Sequence, residues 1–235
     1  MSASNQVPGF TPSGNGFHFI NSWPSEPDIV VTVPPFGKVA IGEASNGLCG
    51  GMVFAVRDFF EARLPIVADT AQPAGQSPLF NYIVGRLIDS FNIPGGVLEY
   101  FSWMNTPDHD TGIWLATRHG VAWMTIVQEW PVIRSTIDAG HPCPLGLITV
   151  QSLDPAQLGK NHQVMAYAYG LDDAGNLTIK VYDPNTSPAS ADQVQMSLNI
   201  SDPSHTTPIS HNIDIGLPVR GFFHVNYTPH DPSAL

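Results

Sequence analysis

The sequence has little of the chemistry that binds nucleic acids or lipid surfaces. Lys and Arg together number 9 against 20 Asp and Glu, and the formal net charge is -11. A surface of that sign repels phosphate backbones and anionic membranes. No apolar run approaches the roughly 20 residues of a membrane-spanning helix, and the opening string MSASNQVPGFTPSGNG lacks the basic and apolar regions of a secretory signal. We expect neither a nucleic acid nor a membrane partner, and a protein that is cytoplasmic or exported by a non-classical route.

Cysteine is scarce as well. The chain of 235 residues contains only Cys49 and Cys143, which are too few for a disulfide framework. We therefore expect free thiols, and Cys143, between two prolines and with no helix behind it, is predicted to be structural. The histidines show no metal-ligand spacing such as H-x-x-x-H with a partnering acid, so we expect neither a metal nor a cofactor.

The periodicity predicts one α+β domain over residues 1–235. A hydrophobic content of 43% supports one sizeable core, while the 21 glycines and 22 prolines indicate many loops. A segment rich in Pro, Gly, Ser and Asn, residues 1–45, is expected to wrap the surface and to contain one short strand, 29–33. Residues 46–140 are predicted to form a helical lobe, and residues 141–228 an antiparallel β lobe.

Each lobe has its own predicted elements. Apolar residues at helical spacing predict helices over 49–64, 78–88, 120–128 and 131–139, with breaks at Pro65, at 93–96 and near Trp130-Pro131. Alternating or apolar runs predict strands over 145–150, 163–169, 177–182, 193–200 and 219–227. The string DDAGN at 172–176 predicts a hairpin turn between the second and third of these strands.

Cys49 lies where a cysteine nucleophile is favoured. It stands in GLCGGM at the start of the first long helix, where free N–H groups and the helix dipole stabilise a thiolate. Glycines on both sides of it allow a substrate backbone to approach closely. The alternative is a small buried cysteine at the start of an ordinary helix.

His162 and Asp183 complete a possible triad. His162 opens one predicted strand, and Asp183 ends the next, so a hairpin would bring the two side chains together. The carboxylate would then hold the imidazole while the other ring nitrogen faces the sulfur. The alternatives are an edge histidine bonded to backbone and a turn aspartate before Pro184.

This order of residues resembles the papain-like cysteine peptidase superfamily. The strings GLCGGM, NHQVMAYAYG and VYDPN are most similar to its bacterial members related to bacteriocin-processing peptidases, and the resemblance covers residues 42–185. It implies a helical lobe, carrying the cysteine helix, that packs against an antiparallel sheet lobe with a peptide or protein substrate between them. It also implies thioester chemistry on an amide or related carbonyl.

One position near the triad differs from that family's pattern, and one alternative remains for the orienting residue. Glu43 stands six residues before Cys49, where papain-like enzymes have a glutamine that donates to the oxyanion, and an ionised carboxylate cannot donate. Asn46 and the main-chain N–H of Cys49 are the substitute donors. Asn185 is an alternative orienting residue for His162, because plant-type members use an amide there, although the charge of Asp183 would better stabilise an imidazolium.

The predicted function is therefore that of a cysteine hydrolase with a Cys-His-Asp triad that cleaves peptide or other amide bonds. The same groups also serve a protein glutamine deamidase or an acyltransferase. A catalytically silent papain-like binding module is the alternative from another class, and the missing glutamine supports it.

Overall fold

The structure, a computed structural model, describes residues 2–23, 30–33, 37–40, 47–92, 95–113 and 116–235. It is an α+β fold in which helices pack on an antiparallel sheet, as the sequence predicts. The helices are α1 (Pro12–Asn15), α2 (Cys49–Glu61), α3 (Pro78–Ser90), α4 (Gly95–Met104), α5 (Val121–Trp123) and α6 (Trp130–Asp138). The strands are β1 (Ala3–Gln6), β2 (Val30–Val33), β3 (Gly37–Ala40), β4 (Thr111–Ile113), β5 (Ala116–Arg118), β6 (Cys143–Ile148), β7 (His162–Leu171), β8 (Asn176–Tyr182), β9 (Gln195–Asn199), β10 (Ser210–His211) and β11 (Gly221–His224).

The main sheet has seven strands, and β7 is its central strand. The order is β10-β9-β8-β7-β6-β11, with β1 pairing the second half of β7 beyond the end of β6. The pairs β2-β3 and β4-β5 form separate two-stranded sheets. The predicted hairpin between β7 and β8 is present, and Gly175 takes the φ of +82° that its turn requires. This hairpin brings the start of β7 close to the end of β8.

Helix α2 lies inside the molecule between α3 and the sheet. Its residues from Cys49 to Val56 are buried, because apolar side chains and glycines occur all around this part of the helix. A Cβ at Gly51 would lie 2.1 Å from the carbonyl oxygen of Ile83 in α3, so the two helix backbones are in contact there. The close approach fixes where α2, and Cys49 at its first position, lie relative to the rest of the fold.

The N-terminal segment contributes more than a surface wrap. Residues 3–6 add strand β1 to the main sheet, which the sequence analysis did not predict. The apolar side chains that follow belong to the core: Val7, Phe10, Phe17, Phe19 and Trp23. The predicted strand at 29–33 is present over the described Val30–Val33, and residue 29 lies outside the described residues.

One prediction about the helical half was wrong. The break expected near Trp130-Pro131 is absent, because residues 121–138 form one continuous helical stretch that includes a π-helix over Met124–Glu129. Pro131 occupies the first turn of α6, where its missing N–H is tolerated. The second predicted helix does end before 93–96, but Gly95 and Gly96 then begin a further helix, α4, which was not predicted and in which Tyr100 is buried.

A buried ion pair joins the helices to the C-terminal part of the chain. The Arg86 guanidinium and the Asp58 carboxylate are about 1% exposed, with Nε and Oδ2 2.7 Å apart. Asp58 also accepts hydrogen bonds from the Tyr82 and Tyr227 hydroxyls, and Arg86 donates to the Thr228 carbonyl. Each charge therefore has several partners, which offset the cost of its burial.

Within the residues that the structure describes, none of the helices has both the length and the apolar character that a bilayer crossing requires.

Candidate active site

Cys49 occupies the first position of α2. Its residue surface is 7% exposed, and the main-chain N–H groups of Gly50 and Gln163 donate hydrogen bonds to its sulfur. The first N–H groups of a helix have no acceptor within the helix, and the dipole there favours negative charge. The local structure therefore stabilises a thiolate at this position.

His162 lies between the cysteine and an acid. It is the first residue of β7 and is buried, and its Nε2 lies 2.7 Å from Oδ1 of Asp183. The charge and hydrogen bonding of the His162 ring lower the pKa of the Cys49 thiol, and Nδ1 is the ring nitrogen left to face the sulfur, since Nε2 faces the carboxylate. The structure thus brings together the three residues that the sequence singled out, in the order sulfur, imidazole and carboxylate.

Both carboxylate oxygens of Asp183 accept hydrogen bonds. It directly follows β8 and is buried. Its Oδ1 accepts the main-chain N–H of Asn185 at 3.0 Å, besides His162. Its Oδ2 accepts the hydroxyl of Thr186 at 2.7 Å and the main-chain N–H of Asp214 at 3.0 Å. The carboxylate is therefore fixed in position and in its ionised form.

The pKa values of the three groups shift in the directions that an ion pair requires. Burial alone raises the pKa of Cys49, but the charge and hydrogen bond of His162 and the two main-chain N–H groups lower it below its ordinary value. Burial alone lowers the pKa of His162, whereas the thiolate charge and the Asp183 hydrogen bond raise it to about 10. Burial also opposes the charge on Asp183, yet its hydrogen bond to His162 and its main-chain donors bring its pKa to about 2. These directions favour a thiolate, an imidazolium and a carboxylate as the joint charged state of the site.

Asn185, the alternative orienting residue, does not face the imidazole. Its side chain accepts from the Asn21 amide and donates to the Asp214 carbonyl, and only its main-chain N–H reaches Asp183. Glu43 and the expected oxyanion donor Asn46 lie outside the described residues.

The second cysteine has a different environment. Cys143 begins β6 and is buried, and burial raises the pKa of its thiol to about 12. Both cysteines are free. Across the described part of the chain, no group of three or more His, Cys, Asp or Glu side chains could hold a metal ion. The two thiols therefore differ sharply in their predicted chemistry.

Sequence reasoning missed several residues that surround the triad. Gln163 donates to the sulfur, and Thr186 and Asp214 donate to the carboxylate. Gln163 had one signal, because it is a polar residue inside the otherwise apolar strand HQVMAYAY. Asp214 had none, since it donates through a main-chain N–H from a loop far along the chain.

Comparisons with models of known protein families, with curated proteins and with solved structures found no match to this chain.

Proposed function

We propose that the protein is a papain-like cysteine hydrolase that cleaves peptide or other amide bonds through a thioester. Cys49 is the nucleophile, His162 the general acid and base, and Asp183 the residue that orients and charges the imidazole. The observation that carries the proposal is the buried hydrogen bond between His162 and Asp183, together with the effect of the His162 ring in lowering the pKa of the Cys49 thiol. In this reading, the layer with α2 and the sheet with β7 and β8 are the two lobes of one catalytic domain.

The first half-reaction forms the thioester. The Cys49 thiolate attacks the carbonyl carbon of the amide, and a C–S bond forms while the negative charge moves to the carbonyl oxygen. As the C–N bond breaks, the His162 imidazolium gives its proton to the leaving amine. The enzyme is left acylated and the imidazole neutral.

The second half-reaction restores the enzyme. The neutral His162 takes a proton from water, whose oxygen attacks the thioester carbon, and the C–S bond breaks as the acid is released. The thiolate and imidazolium are then in place again. Asp183 keeps its charge throughout, so it stabilises the imidazolium form at both ends of the cycle.

The oxyanion needs donors in both steps. The main-chain N–H of Cys49, at the start of α2, has the direction and the dipole that suit this role. Asn46 is proposed as the side-chain donor in place of the glutamine that the family uses. Since Cys49 is 7% exposed, substrate binding must also displace the groups that cover the sulfur.

Alkylation tests the nucleophile directly. We expect iodoacetamide at about pH 6 to modify Cys49 and to leave Cys143 unmodified, because the His162 charge lowers the pKa of the first thiol whereas burial raises the pKa of the second to about 12. His162→Gln is the matched variant, and it should slow Cys49 alkylation by abolishing the imidazolium. Equal, slow modification of both cysteines in the native protein would instead favour the binding module.

A peptide library read by mass spectrometry tests the reaction. New peptide termini that are absent with Cys49→Ser indicate hydrolysis, which is the expected result. A mass gain at glutamine without cleavage would indicate a deamidase, and transfer of an acyl group to an added amine would indicate an acyltransferase. A library left unchanged by a protein with a reactive Cys49 would refute peptide hydrolysis.

A further inference from the structure

Gln163 follows His162 in the chain and packs beside the nucleophile's helix. It is the second residue of β7 and is 2% exposed. Hydrogen bonding by its main-chain N–H lowers the pKa of the Cys49 thiol, while its side chain extends toward the first turn of α2. A Cβ on Gly50 would lie 2.7 Å from Gln163 Oε1 and 2.4 Å from Ser90 Oγ, so the amide and the hydroxyl fill the space beside that turn.

The amide is anchored at its nitrogen only. Gln163 Nε2 donates to Ser90 Oγ at 3.3 Å, and Ser90 Oγ in turn donates its single proton to the Leu87 carbonyl at 2.8 Å. The serine oxygen is therefore an acceptor for the amide, which fixes the amide nitrogen toward α3 and Oε1 toward Gly50. The side chain links β7 to the end of α3 across the start of α2.

The other end of the amide is unpaired. Gln163 Oε1 is buried and has no hydrogen-bond partner among the described residues. Burial raises the pKa of the neighbouring Tyr100 hydroxyl and the Gln163 side chain lowers it, so the two groups lie side by side, but within the described part of the chain the hydroxyl has no partner at ordinary hydrogen-bond length. Buried polar atoms are usually paired, so a glutamine that serves only packing is a poor choice here.

We propose that Gln163 is a positioning residue for Cys49. By bridging to Ser90 and filling the space beside Gly50, its side chain fixes the main chain of β7 so that the Gln163 N–H stays on the sulfur. It touches no substrate and acts only through the cysteine. The inference rests on the proposed function, since it gives that function's nucleophile a second source of stabilisation beside His162.

Because Gln163 Oε1 has no hydrogen-bond partner among the described residues, a variant can separate the positioning role of Gln163 from a structural role. Gln163→Met keeps the length and approximate shape of the side chain, and it removes a buried acceptor that has no partner. Ser90 keeps its bond to Leu87, so no new unpaired donor is created. Folding stability is therefore expected to stay equal or to rise, while the anchoring of the N–H against the sulfur is lost. Gln195→Met, at an exposed glutamine in β9 of the same sheet, is the matched control.

The readout is the ultraviolet absorbance of the thiolate, titrated against pH and corrected with Cys49→Ser. This measurement does not depend on access to the sulfur. For Gln163→Met we expect the acid limb of the titration to move upward by about 0.5 to 1 pH unit, which is roughly a three- to tenfold loss of thiolate below its pKa. The midpoint of thermal unfolding should not fall, and Gln195→Met should match the native protein in both measurements.

Three results would overturn the inference. A titration of Gln163→Met that overlays that of the native protein refutes the positioning role but leaves the triad intact. A lowered thermal midpoint in Gln163→Met assigns the residue an ordinary packing role. A native protein without any Cys49-dependent thiolate at low pH refutes the proposed function itself, and the positioning role with it.

Discussion

Asp183→Asn isolates the negative charge beside His162. The asparagine oxygen can replace Oδ1 and keep the bonds from the His162 ring and the Asn185 N–H. Its amide nitrogen then replaces Oδ2 and faces the Thr186 hydroxyl and the Asp214 N–H. The hydroxyl can turn and accept, but the main-chain N–H cannot. We expect that single mismatch to cost about 1–3 kcal/mol of unfolding free energy.

The effect of Asp183→Asn on hydrolysis depends on the pKa of the His162 imidazole. The pKa of His162 is raised to about 10, and loss of an adjacent carboxylate lowers such a value by about 1–3 units. At least about half of the His162 imidazole therefore stays protonated at neutral pH, and we expect hydrolysis there to fall by no more than about tenfold. The alkaline limb of the activity profile should move down by about 1–3 pH units, because the imidazolium is now lost at lower pH.

The same variant changes stability in acid. The pKa of Asp183 is about 2 when folded, against an ordinary value of 3.8. A carboxyl with a depressed pKa stabilises the fold above its unfolded pKa, and this stabilisation is lost as the pH falls toward the folded pKa. The difference corresponds to about 2 kcal/mol at neutral pH. Asp183→Asn should lack this component of acid unfolding between about pH 4 and pH 2.

Nuclear magnetic resonance of ¹⁵N-labelled histidine measures the imidazole without a substrate. The His162 signal is the one missing from His162→Gln, and its titration in Asp183→Asn should follow the alkaline limb of the activity profile. Asp192→Asn is the control, because that exposed carboxylate accepts surface hydrogen bonds from the Ser13 main-chain N–H at 2.8 Å and from the Ser13 hydroxyl at 2.6 Å. An imidazole that titrates at the native pH in Asp183→Asn would refute the assigned role of the charge.

Two further pairs of variants test what holds the site in place, by urea unfolding. Gly51→Ala places a Cβ 2.1 Å from an α3 carbonyl oxygen, and we expect it to lower the free energy of unfolding by about 1–3 kcal/mol or more. A Cβ at Gly85 has no atom within 4 Å, so Gly85→Ala should raise the free energy of unfolding by about 0.5–1 kcal/mol. Arg86→Met leaves Asp58 as a buried charge without its guanidinium and should cost about 3–5 kcal/mol. The exposed Arg134→Met should cost less than about 1 kcal/mol. Equal effects within either pair would contradict the packing described above.

The contact between His162 and Asp183 was predictable because it is set by local geometry. A strand that begins at His162, a short turn at 172–176 and a second strand that ends at Tyr182 leave little freedom in where Asp183 can lie. The start of α2 at Cys49 was predictable for a similar reason, since glycines and apolar spacing mark a helix without any knowledge of its surroundings. That the sulfur and the ring meet was an inference from their residue types alone.

Other features of the fold and the site depend on long-range contacts that a local sequence pattern does not contain. Residues 3–6 read ASNQ, a polar string without alternation, and they form a strand only because β7 offers unpaired main-chain groups there. The π-helix before Pro131 has no periodicity of its own, and it follows from how Thr125 and Glu129 bond to β11. Donors to Asp183 from residue 214 depend on a loop whose position only the folded chain defines.

The pairing of β1 with β7 affects how the chain folds while it is being synthesised. Ala3 pairs with Leu171, so β1 leaves the ribosome long before the part of β7 with which it pairs. Long-range pairing of this kind is slow to form, and the apolar residues just after β1 stay exposed to chaperones in the meantime. The sheet, including the strand that begins at His162, is therefore completed late in the folding of the nascent chain.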